Sequence, residues 1–377
     1  MSVESAPAAY LQRSRRPFFV RWVCALAVLV AAIAMSASVP AAAAIPVASN
    51  LVVYDNDFFV PANSDILPLI GNPRVRVLGF TVVTGDGWLS EETSDLLRFL
   101  EIAHRTDIPV VRGAEYPLVN TRARTLAWER QYGKLVWKGA WNDAAPGAAY
   151  HPDDPDRISP SPLGAPTAVA APGTAAQFMI DQVHRFPHQV TIVAAGPLTN
   201  VALAIRLDPQ FASLAKQLIF MGGYLDTSLQ QVLGNANFAT DFNIWFDPEA
   251  AHIAITAPWA TITSVGTVTN DVVFTPQIAA RLLEKKTPVT EAVAKYTQPF
   301  PLWDQLVTAI AADPTLITKE VVSAMDVDID RGMGYGTTHI WGPETAPHSG
   351  ERPVHVVLAV DEPRFVTEFV RAAQSVP

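Results

Sequence analysis

The sequence predicts an α/β protein: a Rossmann-like, mostly parallel central sheet with helices on both faces and an active site at the carboxyl ends of the strands. Three observations carry that expectation. Short apolar, β-branched runs alternate with segments of helical periodicity, as crossover-connected parallel strands require. The strand runs are continuously apolar, which suits strands buried on both faces. The polar clusters fall just after these runs, where ligands sit in open α/β sheets.

Taken in order, residues 51–54 form a short apolar run that stops at Asp55, Asn56 and Asp57. A second strand is expected at 75–83, closed by Thr84-Gly85-Asp86-Gly87. Ser90 is the expected N-cap of a helix whose Leu96, Leu97, Leu100 and Ala103 recur at helical spacing to His104. A third strand is expected at 108–111. Residues 137–172 are rich in Pro, Gly, Ala and Asp without periodicity, and read as a long surface segment able to cover a site. Helices at 175–186, 198–207 and 248–255 then alternate with strands at 190–195, 218–221 and 260–265. No internal repeat or linker demands a second domain, so residues 45–377 read as one.

The N-terminus carries a different signal. Arg13, Arg15 and Arg16 precede an apolar run from Trp22 to Ala37, and Ala42, Ala43 and Ala44 follow. A basic region, an apolar region and a small-residue cleavage site make residues 1–44 an expected export signal. Arg15-Arg16 followed by Phe18-Phe19 suits the twin-arginine route. The competing reading is a membrane anchor, for which the run is short against the ~20 residues of a span. Removing residues 1–44 takes away four Arg, one Glu and Cys24. That leaves 23 basic and 35 acidic residues, a charge of −12 and no cysteine. Cysteine catalysis and zinc–thiolate sites are thereby excluded. The acidic balance also argues against a nucleic-acid partner held by its phosphates.

Asp55 and Asp57 stand two apart at a strand end and point the same way in extended chain, with Asp65 following after a loop. Converging carboxylates repel unless a cation or proton joins them. An all-oxygen donor set favours Ca²⁺ or Mg²⁺ over zinc. Ordinary turn and capping aspartates would give the same spacing. A second cluster holds Asn235, Asp241, Phe242 and Asn243, before Asp247-Pro248 opens a helix. Amides and carboxylates in one loop suit vicinal sugar hydroxyls, although such residues more often bond their own backbone.

From Asn50 to Asp330 the order of segments resembles the inosine–uridine-preferring nucleoside hydrolase family. Asp55-Asn56-Asp57 with Asp65 loosely resembles its opening D-T-D-P-G-x-D-D. Pro109-Val110-Val111-Arg112-Gly113 with Pro117-Leu118, Gly196-Pro197-Leu198-Thr199-Asn200, Met221-Gly222-Gly223, and Gly234-Asn235 through Asp241-Phe242-Asn243 to Asp247-Pro248-Glu249-Ala250-Ala251 resemble later motifs in order. The resemblance implies cleavage of the bond between nucleobase and ribose. It implies Ca²⁺ held by Asp57, Asp65, the Thr199 carbonyl and Asp304, with Asp57 also the general base toward the attacking water. It further implies ribose held by Asn235, Asp241 and Asn243, with the ring against Phe242 and Met221. A homo-oligomer is implied too, since family members are commonly dimers or tetramers.

This chain departs from the family pattern in places. Seven residues separate Asp57 from Asp65, a longer loop than the signature has. Asn63 or Ser64 stands in for an acidic ribose ligand, Asp86 for an Asn, and Asp241 for a Glu. Trp303 replaces an imidazole that some members use to protonate the departing base. Trp cannot act as an acid, but it can stack on a base. His151 and His339, both in expected loops, are the candidate replacements. Two other functions compete: a phosphohydrolase with Asp55 as nucleophile and Asp57 as acid, and an exported nucleoside- or sugar-binding protein with little turnover. For an exported enzyme, the sense would be nucleoside scavenging outside the cytoplasm.

Overall fold

The structure is a computed structural model, and it describes residues 50–59, 62–143, 151–223, 241–342 and 344–377. The chain divides into Met1–Ile45 and Pro46–Pro377; all described residues belong to the second unit. No helix among them is long and apolar enough to cross a membrane.

One nine-stranded sheet organises the fold. Its strands are β1 (Asn50–Asn56), β2 (Val75–Val82), β3 (Val110–Arg112), β4 (Val190–Ala194), β5 (Gln217–Met221), β6 (Ile262–Val265), β7 (Ile317–Val327), β8 (Thr338–Trp341) and β9 (Arg352–Val360). They lie in the order β3-β2-β1-β4-β5-β6-β9-β7-β8. The first six and β9 run parallel, whereas β7 pairs antiparallel with β8 and β9. The parallel part therefore has the doubly wound arrangement expected, with antiparallel strands added at one edge.

Strand alternation explains the continuous apolar runs. Val52 and Tyr54 of β1, Ile219 and Met221 of β5, and Val193 of β4 pack into one core. Leu51, Val53, Ile192, Leu218 and Phe220 pack into the other. Successive side chains point to opposite faces, so a sheet with helices on both sides must be apolar at both parities. Helices Trp303–Ala312 and Glu362–Ser375 help cover the first face, and Ala175–Arg185, Thr199–Leu207 and Pro248–Thr256 the second.

Three local expectations are corrected. Ser90 lies inside the helix Leu89–Ile102, whose N-cap is Trp88 without a side-chain cap; the Ser90 hydroxyl instead accepts from Arg112 at 3.1 Å. Residues 137–172 are not all surface, because Gly139–Trp141 is a buried 3₁₀ turn with Trp141 stacked on Phe246 at 4.3 Å. Asp55 and Asp57 do not act as a pair either. The strand ends at Asn56, and Asp55 turns into the interior to accept from Thr81 Oγ1 at 2.6 Å and Asn200 Nδ2 at 2.8 Å.

Candidate active site

The sheet order reverses between β1 and β4; the segment leaving β1 carries Asp57 and Asp65, the loop after β2 carries Asp86, and Asp304 opens the helix Trp303–Ala312. A crevice must open there because the crossovers on either side depart to opposite faces. Asp57 follows β1, and Gly196 through Asn200 follow β4. A Cβ at Gly196 would crowd the Asp57 backbone nitrogen and Oδ1, each 2.8 Å away. One at Gly85 would overlap the Asp57 carboxylate. Both glycines are thus required by close approach, which gives the G-P-L-T-N segment a structural reason.

Asp57 Oδ2 accepts the Asp86 backbone N–H at 2.8 Å. Asp65 Oδ2 accepts from Tyr54 OH at 2.8 Å and from Asn56 Nδ2 at 3.2 Å. The same Asn56 amide donates to Asp304 Oδ2 at 3.1 Å. One side chain therefore tethers two like-charged groups, while its own Oδ1 is buried without a partner. Burial holds the Asp57 carboxyl well above the usual carboxylate range, helped by the charges of Asp86 and Asp304. Asp304 is raised by desolvation and by Asp65. Burial lifts Asp65 to about 6 and Asp86 to about 6.

Three of these carboxylates border a cavity of about 370 Å³ lined by Asp57, Asp86, Asp304, Asn243 and Ala195, with Met221, Trp137, Phe242, Phe300 and Trp303. A second cavity of about 370 Å³ adjoins it, sharing Asp57, Asp86, Trp137, Phe300, Trp303 and Asp304, and reaching Asn63, Ser64 and Asp65. Neither wall contains a Lys, Arg or His among the described residues. Among the described residues, the acidic centre thus lacks any positive side chain in contact with the chamber. Such a donor set fits a hard divalent cation, since protonation is the only other way to relieve it. No three carboxylate or imidazole groups among the described residues already stand at coordinating spacing. The amide of Asn56 lies between two of them instead.

The remaining expected residues divide into three groups. Asp86, Met221, Phe242, Asn243 and Trp303 line the first cavity, and Asn63 and Ser64 the second. The Asn63 amide is fully buried with both polar atoms unpartnered, whereas Ser64 Oγ accepts from Gln305 at 2.9 Å. Asn243 Nδ2 donates to the Ala195 carbonyl at 2.5 Å, with Met221 Sδ 3.2 Å away. Asp241 lines neither cavity; its carboxylate caps the helix Phe242–Phe246 and accepts the Gly223 N–H at 2.7 Å. Thr199 lines neither cavity, and its hydroxyl donates to Asp247 Oδ2 at 2.7 Å. Asn235 lies outside the described residues.

His151 and His339 are not in the chamber wall. His151 is buried, not a surface loop residue. Its Nε2 is 3.0 Å from Glu91 and its Nδ1 2.7 Å from the Asp154 carbonyl. His339 sits on edge strand β8, stacked against Trp341. Sequence reasoning missed Trp137 and Phe300 as wall residues. Trp137 Nε1 donates to Asp86 Oδ1 at 2.5 Å, a long-range contact that no local pattern announces.

A doubly wound sheet with an acidic centre at its switch point, beneath an aromatic chamber of small-molecule size, has the layout of a small-molecule enzyme able to hold a divalent cation. The chain belongs to the inosine-uridine preferring nucleoside hydrolase family, whose model matches residues 52–367. It is 31% identical over 328 residues to an uncharacterized protein of Schizosaccharomyces pombe, covering 81% of this chain and 80% of that one. It is 30% identical over 343 residues to a probable uridine nucleosidase of Oryza sativa subsp. japonica, covering 85% and 96%. A solved plant nucleoside hydrolase matches with a TM-score of 0.66 at 26% identity, over 87% of this chain and 100% of that one.

Proposed function

We propose that the protein hydrolyses the N-glycosidic bond of ribonucleosides to free base and ribose, with Asp57 as general base and Ca²⁺ as the bound ion. The observation that carries this reading is the uncompensated group of Asp57, Asp65 and Asp304 against an aromatic chamber. Asp57, Asp65, Asp304 and the Thr199 carbonyl would hold the ion, which when bound lowers the pKa of a coordinated water. Asp57 takes the proton from the attacking water, the bound ion keeping its carboxyl ionised for that task. Asn243 and the buried amide of Asn63 orient the ribose hydroxyls. The base lies against Trp303, Phe242 and Phe300, whose faces bind it by stacking. The buried position of Asp55 leaves the phosphohydrolase reading without an accessible nucleophile.

The test is release of reducing ribose from a panel of purine and pyrimidine nucleosides, with calcium and with a chelator. Chelator-sensitive release is expected, and the panel names the base. Tight nucleoside binding without release would replace hydrolysis with a binding function.

We further propose that residues 1–44 are removed on export. Mature protein recovered from outside the cytoplasm is expected to have an intact mass starting at Ile45. A mass that includes residues 1–44 would refute the processing.

A further inference from the structure

Glu92 lies one turn into the helix Leu89–Ile102 and is fully buried, yet it lines neither cavity. Its Oε1 accepts the Gly87 backbone N–H at 2.7 Å, and its Oε2 is buried without a partner. A buried carboxyl placed here has a cost that packing alone would not demand. What it holds is the turn beside the catalytic carboxylate. Gly85 N donates to the Gly87 carbonyl at 3.1 Å, and Thr84 Oγ1 accepts the Leu89 N–H at 3.0 Å, so the turn is tied at both ends. Between them the Asp86 N–H reaches Asp57 Oδ2 at 2.8 Å.

We propose that Glu92 is a positioning residue for Asp57, acting through the Gly85–Asp86–Gly87 turn. The carboxyl anchors Gly87 and thereby fixes where the Asp86 N–H points. That N–H in turn fixes one Asp57 oxygen and stops rotation of the carboxylate. Base catalysis depends on this angle, since a displacement of about 1 Å at a catalytic group costs on the order of 10²-fold in rate. Burial, with the charges of Asp57 and Asp86, pushes the Glu92 carboxyl well above its usual range. An amide of the same length is therefore a close substitute.

The inference rests on Asp57 acting as the base, so Asp57→Asn is measured alongside. The test compares Glu92→Gln, which keeps the reach, with Glu92→Asp, which keeps the acid but shortens it. Glu92→Met, which fills the volume without an acceptor, replaces the Asp variant should that one not fold. Each is assayed at saturating calcium, with circular dichroism and a thermal melt to establish the folded state. Glu92→Gln is expected to stay within about threefold of wild-type kcat. Glu92→Asp and Glu92→Met are expected to lose about ten- to a hundredfold in kcat with KM within about threefold. Lower melting temperatures with unchanged kcat would show a purely structural role and overturn the proposal, as would a Gln variant as impaired as the Met variant. Should Asp57→Asn stay active, it is the base assignment that fails.

Discussion

Asp57→Asn is expected to lower kcat by about 10²–10⁴-fold, the range for loss of a general base, and to leave the fold intact. The substitution is nearly isosteric, and the amide oxygen can still accept the Asp86 N–H that now binds Oδ2. What disappears is the basic lone pair that receives the proton. The stability effect should run the other way. In calcium-free protein Asp57 is desolvated and faces the charges of Asp86 and Asp304, so at a pH high enough to ionise it a neutral amide removes repulsion and should raise the melting temperature in chelator. A variant that loses rate while gaining calcium-free stability separates a catalytic group from a structural one. Thermal melts in chelator and initial rates at saturating calcium provide both readings. Activity within tenfold of wild type would remove Asp57 from the role of base.

The parts of the fold legible in the sequence are those where one physical demand dominates locally. Strands β1, β4 and β5 are readable because two-sided burial favours apolar residues at both parities, and Asp247-Pro248 because a capping Asp before Pro suits a helix start. The acidic loop ends were readable because chain direction alone places them at one edge of a parallel sheet. Tertiary competition hid the rest. Ser90 looks like a cap, yet Trp88 takes that position and the hydroxyl serves Arg112. The Asp241 carboxylate also accepts the Gly223 and Ile244 backbone N–H groups, bonds its place in the motif does not announce. Trp137 reaches Asp86 across 51 residues of sequence, and such a contact has no periodicity to reveal it. His151 read as a loop residue, and nothing nearby in the chain pointed to its buried partner Glu91.

Stabilisation by calcium is expected to grow with pH and nearly vanish near pH 5. Burial raises Asp65 from the ordinary 3.8 to about 6 in the folded, metal-free protein. A raised folded-state pKa means that the group contributes fully to stability below about 4 and loses that contribution as pH rises through about 6. At ~1.4 kcal/mol per tenfold change in proton affinity, carrying Asp65 ionised costs about 3 kcal/mol, with Asp57 and Asp304 adding in the same direction. Metal-free protein should therefore melt progressively lower from pH 4 to pH 7. Calcium held by these carboxylates would reverse this, because it would bind their ionised forms. Protons and calcium compete for one set of oxygens, so affinity rises as Asp65 loses its proton. At a hundredfold excess over Kd, calcium contributes about 2.7 kcal/mol, a shift of several degrees. Melts at pH 5, 6, 7 and 8, with calcium or chelator, measure the difference directly. A calcium shift equal at all four values, or largest at pH 5, would mean that these carboxylates are not the ligands. The binding assignment would then have to be sought elsewhere in the chain.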